Sequence, residues 1–230
     1  VIGGALGASL LAQSSAALAA PSNPAVIATV TVDLRPEAVA INPTTNRVYT
    51  ANEAHGTVTV VDGASNQLTG NILLGGQPDG IGVLSGLNRV FVSSISSTGF
   101  GSLAVIDGSN NSVMTYIPLG QEASPAGVAV NQNTGRVYVA VPGNNSVAVI
   151  DGLSNSLADT VNGIVEPVGM AVDVMTNRVY VASLDHKVVT VIDGGNDHIV
   201  TGINLGVAST GSVAVNPNTN RIYAGTNGAV

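Results

Sequence analysis

From about Ala25 onward, short apolar runs alternate with clusters of Asn, Asp, Gly and Pro. One stretch shows the rhythm: Gly169-Met170-Ala171-Val172, then Arg178-Val179-Tyr180-Val181-Ala182, then Val188-Val189-Thr190-Val191-Ile192, then His198-Ile199-Val200-Thr201-Gly202-Ile203. Runs of this length, rich in Val, Ile, Thr and Tyr and bounded by turn formers, are strand signals. No helix of useful length fits this part of the chain.

The runs recur with a fixed period. Arg47, Arg89, Arg136, Arg178 and Arg221 each open an Arg-Val/Ile-Tyr/Phe segment, at steps of 42, 47, 42 and 43 residues. A second mark, a β-branched residue followed by Asp-Gly, falls at Asp62, Asp107, Asp151 and Asp193, at steps of 45, 44 and 42. Four strands per period of this length is the pattern of a β-propeller blade. The spacing predicts an outer strand over 26–33, full blades at about 36–74, 78–119, 125–165 and 167–205, and a partial blade over 211–230. About five blades are thus represented.

With Asn42-Pro43-Thr44-Thr45-Asn46-Arg47-Val48-Tyr49-Thr50-Ala51-Asn52 and Val58-Thr59-Val60-Val61-Asp62-Gly63 as its first copy, the chain resembles the YVTN repeat family. That group includes YncE-like proteins and surface-layer repeat proteins, and the resemblance runs from about Val26 to Asn227. It implies a seven-bladed, WD40-like propeller, commonly exported, of which this chain is a fragment. A more distant similarity to lactonase-type and haem d1-carrying propellers places no functional residue here.

Composition sharpens this picture. The 230 residues include 28 Gly and only 9% charged positions, as expected of many short, closely packed strands. A net charge of −7, with seven Lys and Arg, offers no basic stripe to neutralise a phosphate backbone, which argues against nucleic acid as a partner. No Cys is present, which excludes disulfides, thiolate nucleophiles and Cys-ligated metals. Residues 1–20 are apolar or small and end in Ala17-Leu18-Ala19, the pattern of an export leader and its cleavage site. The expected location is therefore periplasmic, extracellular or on the cell surface, with no transmembrane span after the leader.

The five repeat arginines read as structural, each tying a turn or meeting a repeat Asp in a bidentate bond. The Asp-Gly pairs read as turn formers. Function is expected where sequence departs from the repeat, in the loops joining fourth to first and second to third strands around the channel mouth. Those loops carry Arg35, Glu37, Asp79, Glu122, Glu166, His55 and His186, the candidate ligand-binding residues. An acidic mouth suits a protein, a peptide or a small cationic ligand. His55 and His186, with Glu53 and Asp185 nearby in sequence, stand in non-adjacent blades and are not assigned as a metal site; no cofactor is assigned either. The repeat tyrosines Tyr49, Tyr138, Tyr180 and Tyr223 read as packing groups. No catalytic residue is assigned and no nucleophile motif is present. The enzyme alternative is metal-assisted hydrolysis of the lactonase kind, should Glu37, Asp79, Glu122 and Glu166 converge at the axis.

Overall fold

In the computed structural model, which describes residues 25–226, four complete four-stranded antiparallel sheets are followed by a two-stranded one. The leader expected at residues 1–20 lies outside the described residues. Blade one consists of β1 (Pro36–Asn42), β2 (Arg47–Asn52), β3 (Thr57–Asp62) and β4 (Gln67–Leu73). Blade two consists of β5 (Gln77–Leu84), β6 (Arg89–Ile95), β7 (Phe100–Asp107) and β8 (Ser112–Gln121). Blade three has β9 (Val128–Val130), β10 (Arg136–Val141), β11 (Ser146–Asp151) and β12 (Ser156–Asn162). Blade four has β13 (Pro167–Asp173), β14 (Arg178–Ser183), β15 (Val188–Asp193) and β16 (His198–Asn204), and the fifth sheet pairs β17 (Ser209–Asn216) with β18 (Arg221–Thr226). The chain is an all-β propeller segment, and the periods read from the sequence are its blades.

One expected strand is absent. Residues 25–32 form no strand, and Val26 and Ile27 are 88% and 86% exposed. Their alternating apolar pattern is that of a fourth strand, but among the described residues no third strand lies beside them to supply ladder hydrogen bonds, and pattern alone does not make a strand.

Alternation along each strand decides which seam a side chain fills. Tyr49, Val58 and Val60 of blade one pack against Ile81, Val83, Val90 and Val92 of blade two. On β6 the intervening Phe91 points the other way, against Val137, Val139 and Ile150 of blade three. Tyr138, Val147 and Val149 repeat the arrangement against Val179, Val181 and Ile192 of blade four. Burying each such side chain contributes on the order of 2 kcal/mol, so the seams hold the fold.

The turns on one face follow from local chemistry. Each third strand ends in Asp and turns back through a residue in the left-handed region, Asn66, Asn111, Asn155 or Asp197, with φ of 55–58°. A β-bulge follows in every blade, as in the shift between Val105 and Ile106. The Asp carboxylate accepts the turn's own donors: Asp62 takes the Ser65 amide at 2.8 Å, and Asp107 takes the Ser109 amide at 2.8 Å and its hydroxyl at 2.6 Å. The turn glycine lies against the left-handed residue that precedes the repeat Arg, and a Cβ on Gly108 would stand 2.4 Å from Asn88 Oδ1.

Seams are also keyed by matched polar pairs. Asn42 donates through Nδ2 to Asn88 Oδ1 at 2.7 Å across the first seam, and Asn131 donates to Asn177 Oδ1 at 2.7 Å across the third. In the second seam both members change together. Leu84 replaces the donor and Gly135 replaces the acceptor, so that Leu84 Cδ2 occupies the space the missing Asn side chain leaves beside Gly135.

First strands line the axis, where backbones meet. A Cβ on Gly80, Gly127 or Gly169 would lie 2.3, 2.3 or 2.1 Å from the carbonyl oxygen of Ala126, Val168 or Gly211 in the next blade. Only glycine permits that approach.

Candidate functional site

On the face opposite those turns, the fourth-to-first and second-to-third connections rim an opening into the channel. Arg35 sits in the left-handed region with φ of 55°, and its carbonyl accepts the Glu53 amide at 2.9 Å, which joins the entry to blade one with its second-to-third loop. The Arg35 guanidinium contacts Glu53 closely and lies 3.7 Å from Glu37. Glu37, Glu53 and Asp79 share with it a cleft of about 250 Å³ between blades one and two. A larger depression of about 520 Å³ continues from Glu53 past His55 and Gln77 to Ser96 and Ser97.

Asp79 connects this cleft to the axis, because it also borders the axial opening of about 300 Å³ walled by Ala38, Gly80, Gly127 and Gly169. Its carboxylate reaches solvent through the opening but is ringed by protein. Partial desolvation, reinforced by repulsion from Glu37 and Glu53, raises its pKa above the usual carboxylate range. The site therefore holds three carboxylates against one guanidinium, with one carboxylate reluctant to ionise.

The remaining candidates are distributed. His55 Nδ1 lies 3.4 Å from Asp33 Oδ1, and Asp33 also accepts the Thr57 hydroxyl at 2.6 Å, a bond that, ahead of the histidine, lowers its pKa. His186 Nε2 lies 3.4 Å from Glu166 Oε2 on blade four. The carboxylate partners of the two histidines are thus Asp33 and Glu166, not the sequence neighbours Glu53 and Asp185. Glu122 takes a left-handed φ of 57° and bonds through its amide to the Gly99 carbonyl at 2.8 Å. The convergence of Glu37, Asp79, Glu122 and Glu166 does not occur. Only Glu37 and Asp79 share a cleft, because each blade's entry loop sits on its own sector of the rim. Among the described residues no group of three His, Asp or Glu side chains is placed to hold a metal ion.

The repeat arginines do not reach the repeat aspartates as ion pairs. Arg47 donates to the Gly108 carbonyl and, at 3.4 Å, to Asn111 Oδ1 in the next blade. Arg89 donates to the Gly152 carbonyl, to the Leu153 carbonyl at 2.9 Å and to Asn155 Oδ1 at 2.9 Å. The repeat Asp faces its Arg across the strand pair, as Asp107 faces Arg89, but spends its oxygens on its own turn. Arg136 Nη1 is buried without a hydrogen-bond partner. The side chains of Arg178 and Arg221 make no hydrogen bond or ion pair among the described residues. Tyr49, Tyr138 and Tyr180 are buried in the seams, while Tyr223 is 46% exposed. Sequence reading missed the full role of Glu53, whose only signal was its place in the loop that carries His55.

The fold and its axial opening define a β-propeller, and solved structures of low sequence identity share that architecture. Kuenenia stuttgartiensis hydrazine synthase superposes with a TM-score of 0.71 at 19% identity over 87% of this chain and 58% of its own. A functionally unknown protein from Desulfotomaculum acetoxidans DSM 771 superposes with a TM-score of 0.73 at 13% identity over 86% of this chain and 65% of its own. The chain thus spans about three-fifths of the length of these structures. No family model and no curated protein matches the sequence.

Proposed function

We infer that this is an exported propeller of the YVTN-repeat type that acts as a binding or scaffold module, with the mouth cleft between blades one and two as its recognition site. The carrying observation is the set of Glu37, Glu53 and Asp79 around a single Arg35 in a cleft open to the axis. Such a site attracts an ammonium or guanidinium group of a protein, peptide or small molecule and repels polyanions. The leader-like residues 1–20 support export to the periplasm or cell surface. Metal-assisted lactone hydrolysis lacks a three-donor seat among the described residues, so binding is the reading adopted.

Titration with Lys- and Arg-containing peptides tests this reading by calorimetry. Asp79→Asn should weaken binding about tenfold, the equivalent of ~1.4 kcal/mol. Affinity should rise with pH as Asp79 ionises, because only the charged carboxylate attracts the cation. Equal binding by wild type and Asp79→Asn, or preference for acidic peptides, would overturn the assignment.

A further inference from the structure

The three complete seams serve as controls for one another, and one differs in charge. Where the first and second seams present the neutral amides of Asn111 and Asn155 to the preceding blade's arginine, the third presents Asp197, in the same left-handed turn conformation with φ of 57°. Asp197 is 9% exposed, and its Oδ1 is buried without a hydrogen-bond partner. Two more polar atoms of this seam are buried in the same condition, Arg136 Nη1 and Tyr138 Oη. Tyr138 reaches the same turn, since a Cβ on Gly194 would stand 2.8 Å from its hydroxyl oxygen.

The charged neighbours do not balance in favour of the ionised acid. Arg136 on β10 attracts it and His198 on β16 does so when protonated, while Asp159 on β12 and Asp193 at the end of β15 repel it. Burial adds a larger cost, since Oδ1 loses its water here without gaining the turn hydrogen bonds that Asp62 and Asp107 collect. A protonated Asp197 carboxyl has the hydrogen-bonding pattern of asparagine: a carbonyl to accept from Arg136 and a donor for the Tyr138 oxygen.

We propose that the seam between blades three and four is a pH-responsive joint of the propeller, tight when Asp197 is protonated and looser when it is ionised. Two shifts agree with that geometry. Burial raises the Asp197 pKa against the opposing pull of Arg136, and burial, with Asp197 as the next contributor, pushes the Tyr138 pKa up to about 12. The linkage has a definite sign. An acid whose folded pKa exceeds its unfolded value binds more protons when folded, so stability falls as pH rises from the unfolded value through the folded one, and is level beyond it.

The test compares melting temperatures of the full chain and Asp197→Asn from pH 4 to pH 8, since Asn occupies this turn position in the three other blades. The two should melt together at the acid end, and the variant should melt roughly 2–4 °C higher at neutral pH. Hydrogen exchange in β10, corrected for intrinsic pH dependence, should accelerate with pH in the wild type relative to β6, whose seam carries Asn155, and should not do so in the variant. A variant less stable than wild type at neutral pH would show Arg136 and Asp197 to be a net stabilising pair and overturn the proposal. A gain that does not change with pH would reduce the effect to the turn preference of Asn and overturn it equally.

Discussion

On the face where first and third strands end, each of the four complete blades presents the same parts: a left-handed Asn or Gly, an Arg, an Asp-Gly turn and a bulge. On the opposite face the connections share almost nothing except a Pro at or shortly before the start of four first strands, Pro36, Pro78, Pro125 and Pro167. The first face is a joint. Beside the local bonds of its Asp turns, arginine and asparagine bonds leave one blade and end in the next, as from Arg89 to Leu153. The second face keeps several of its bonds local, as between Asp33 and Thr57 or His186 and Glu166, and leaves charge exposed. Repetition is imposed where every blade must fit its neighbour, and variation is tolerated where none must.

Three experiments test whether the faces are separable and how the joint is keyed. The largest effect is expected from Gly108→Ala, whose methyl would meet the Asn88 backbone and side chain at a turn that cannot give way. It should cost about 3 kcal/mol in urea unfolding and leave cation binding per folded molecule unchanged. Altered affinity in the folded fraction would join the two faces energetically. Arg89→Ala removes three bonds to the next blade and should cost about 2 kcal/mol, again without touching the mouth. A melting temperature equal to wild type would make that arginine dispensable to the joint. The smallest effect is a coupling. Leu84→Asn and Gly135→Asn should each destabilise alone, while the double variant, which recreates the Asn pair of the other seams, should recover about 1 kcal/mol over their sum. Simple additivity would show that the second seam needs no matched key.

Much of the fold was legible in the sequence because seam geometry imposes identical local chemistry at a constant interval. The Asn or Gly before each repeat Arg and the Val- or Ile-Asp-Gly end of each third strand mark strand boundaries independently of tertiary context. The partners of the arginines were not legible, since Asp62 is opposite Arg47 within a blade while the actual acceptor, the Gly108 carbonyl, is 61 residues away in the next blade. A backbone carbonyl carries no sequence signal. The rim was legible only as a list of loops: Glu37 and Asp79, each just after the Pro of its first strand, come from neighbouring blades and share a cleft, whereas Glu122 and Glu166 stand at other positions of later connections. Residues 26–33 failed for a related reason, as a strand needs a neighbour and the pattern names none.

The glycines on the axis also act as a gauge. Blades fan outward from the channel, so the angle between neighbours is set by how much closer their inner strands lie than their outer ones. Gly80, Gly127 and Gly169 bring inner strands to backbone contact and hold that angle wide. A methyl at each would push the inner strands apart by about an ångström, leave the outer strands where they are, and make the blades more nearly parallel. More of them would then be needed to complete a turn. The angle between successive blades of this segment is thus written in three missing side chains.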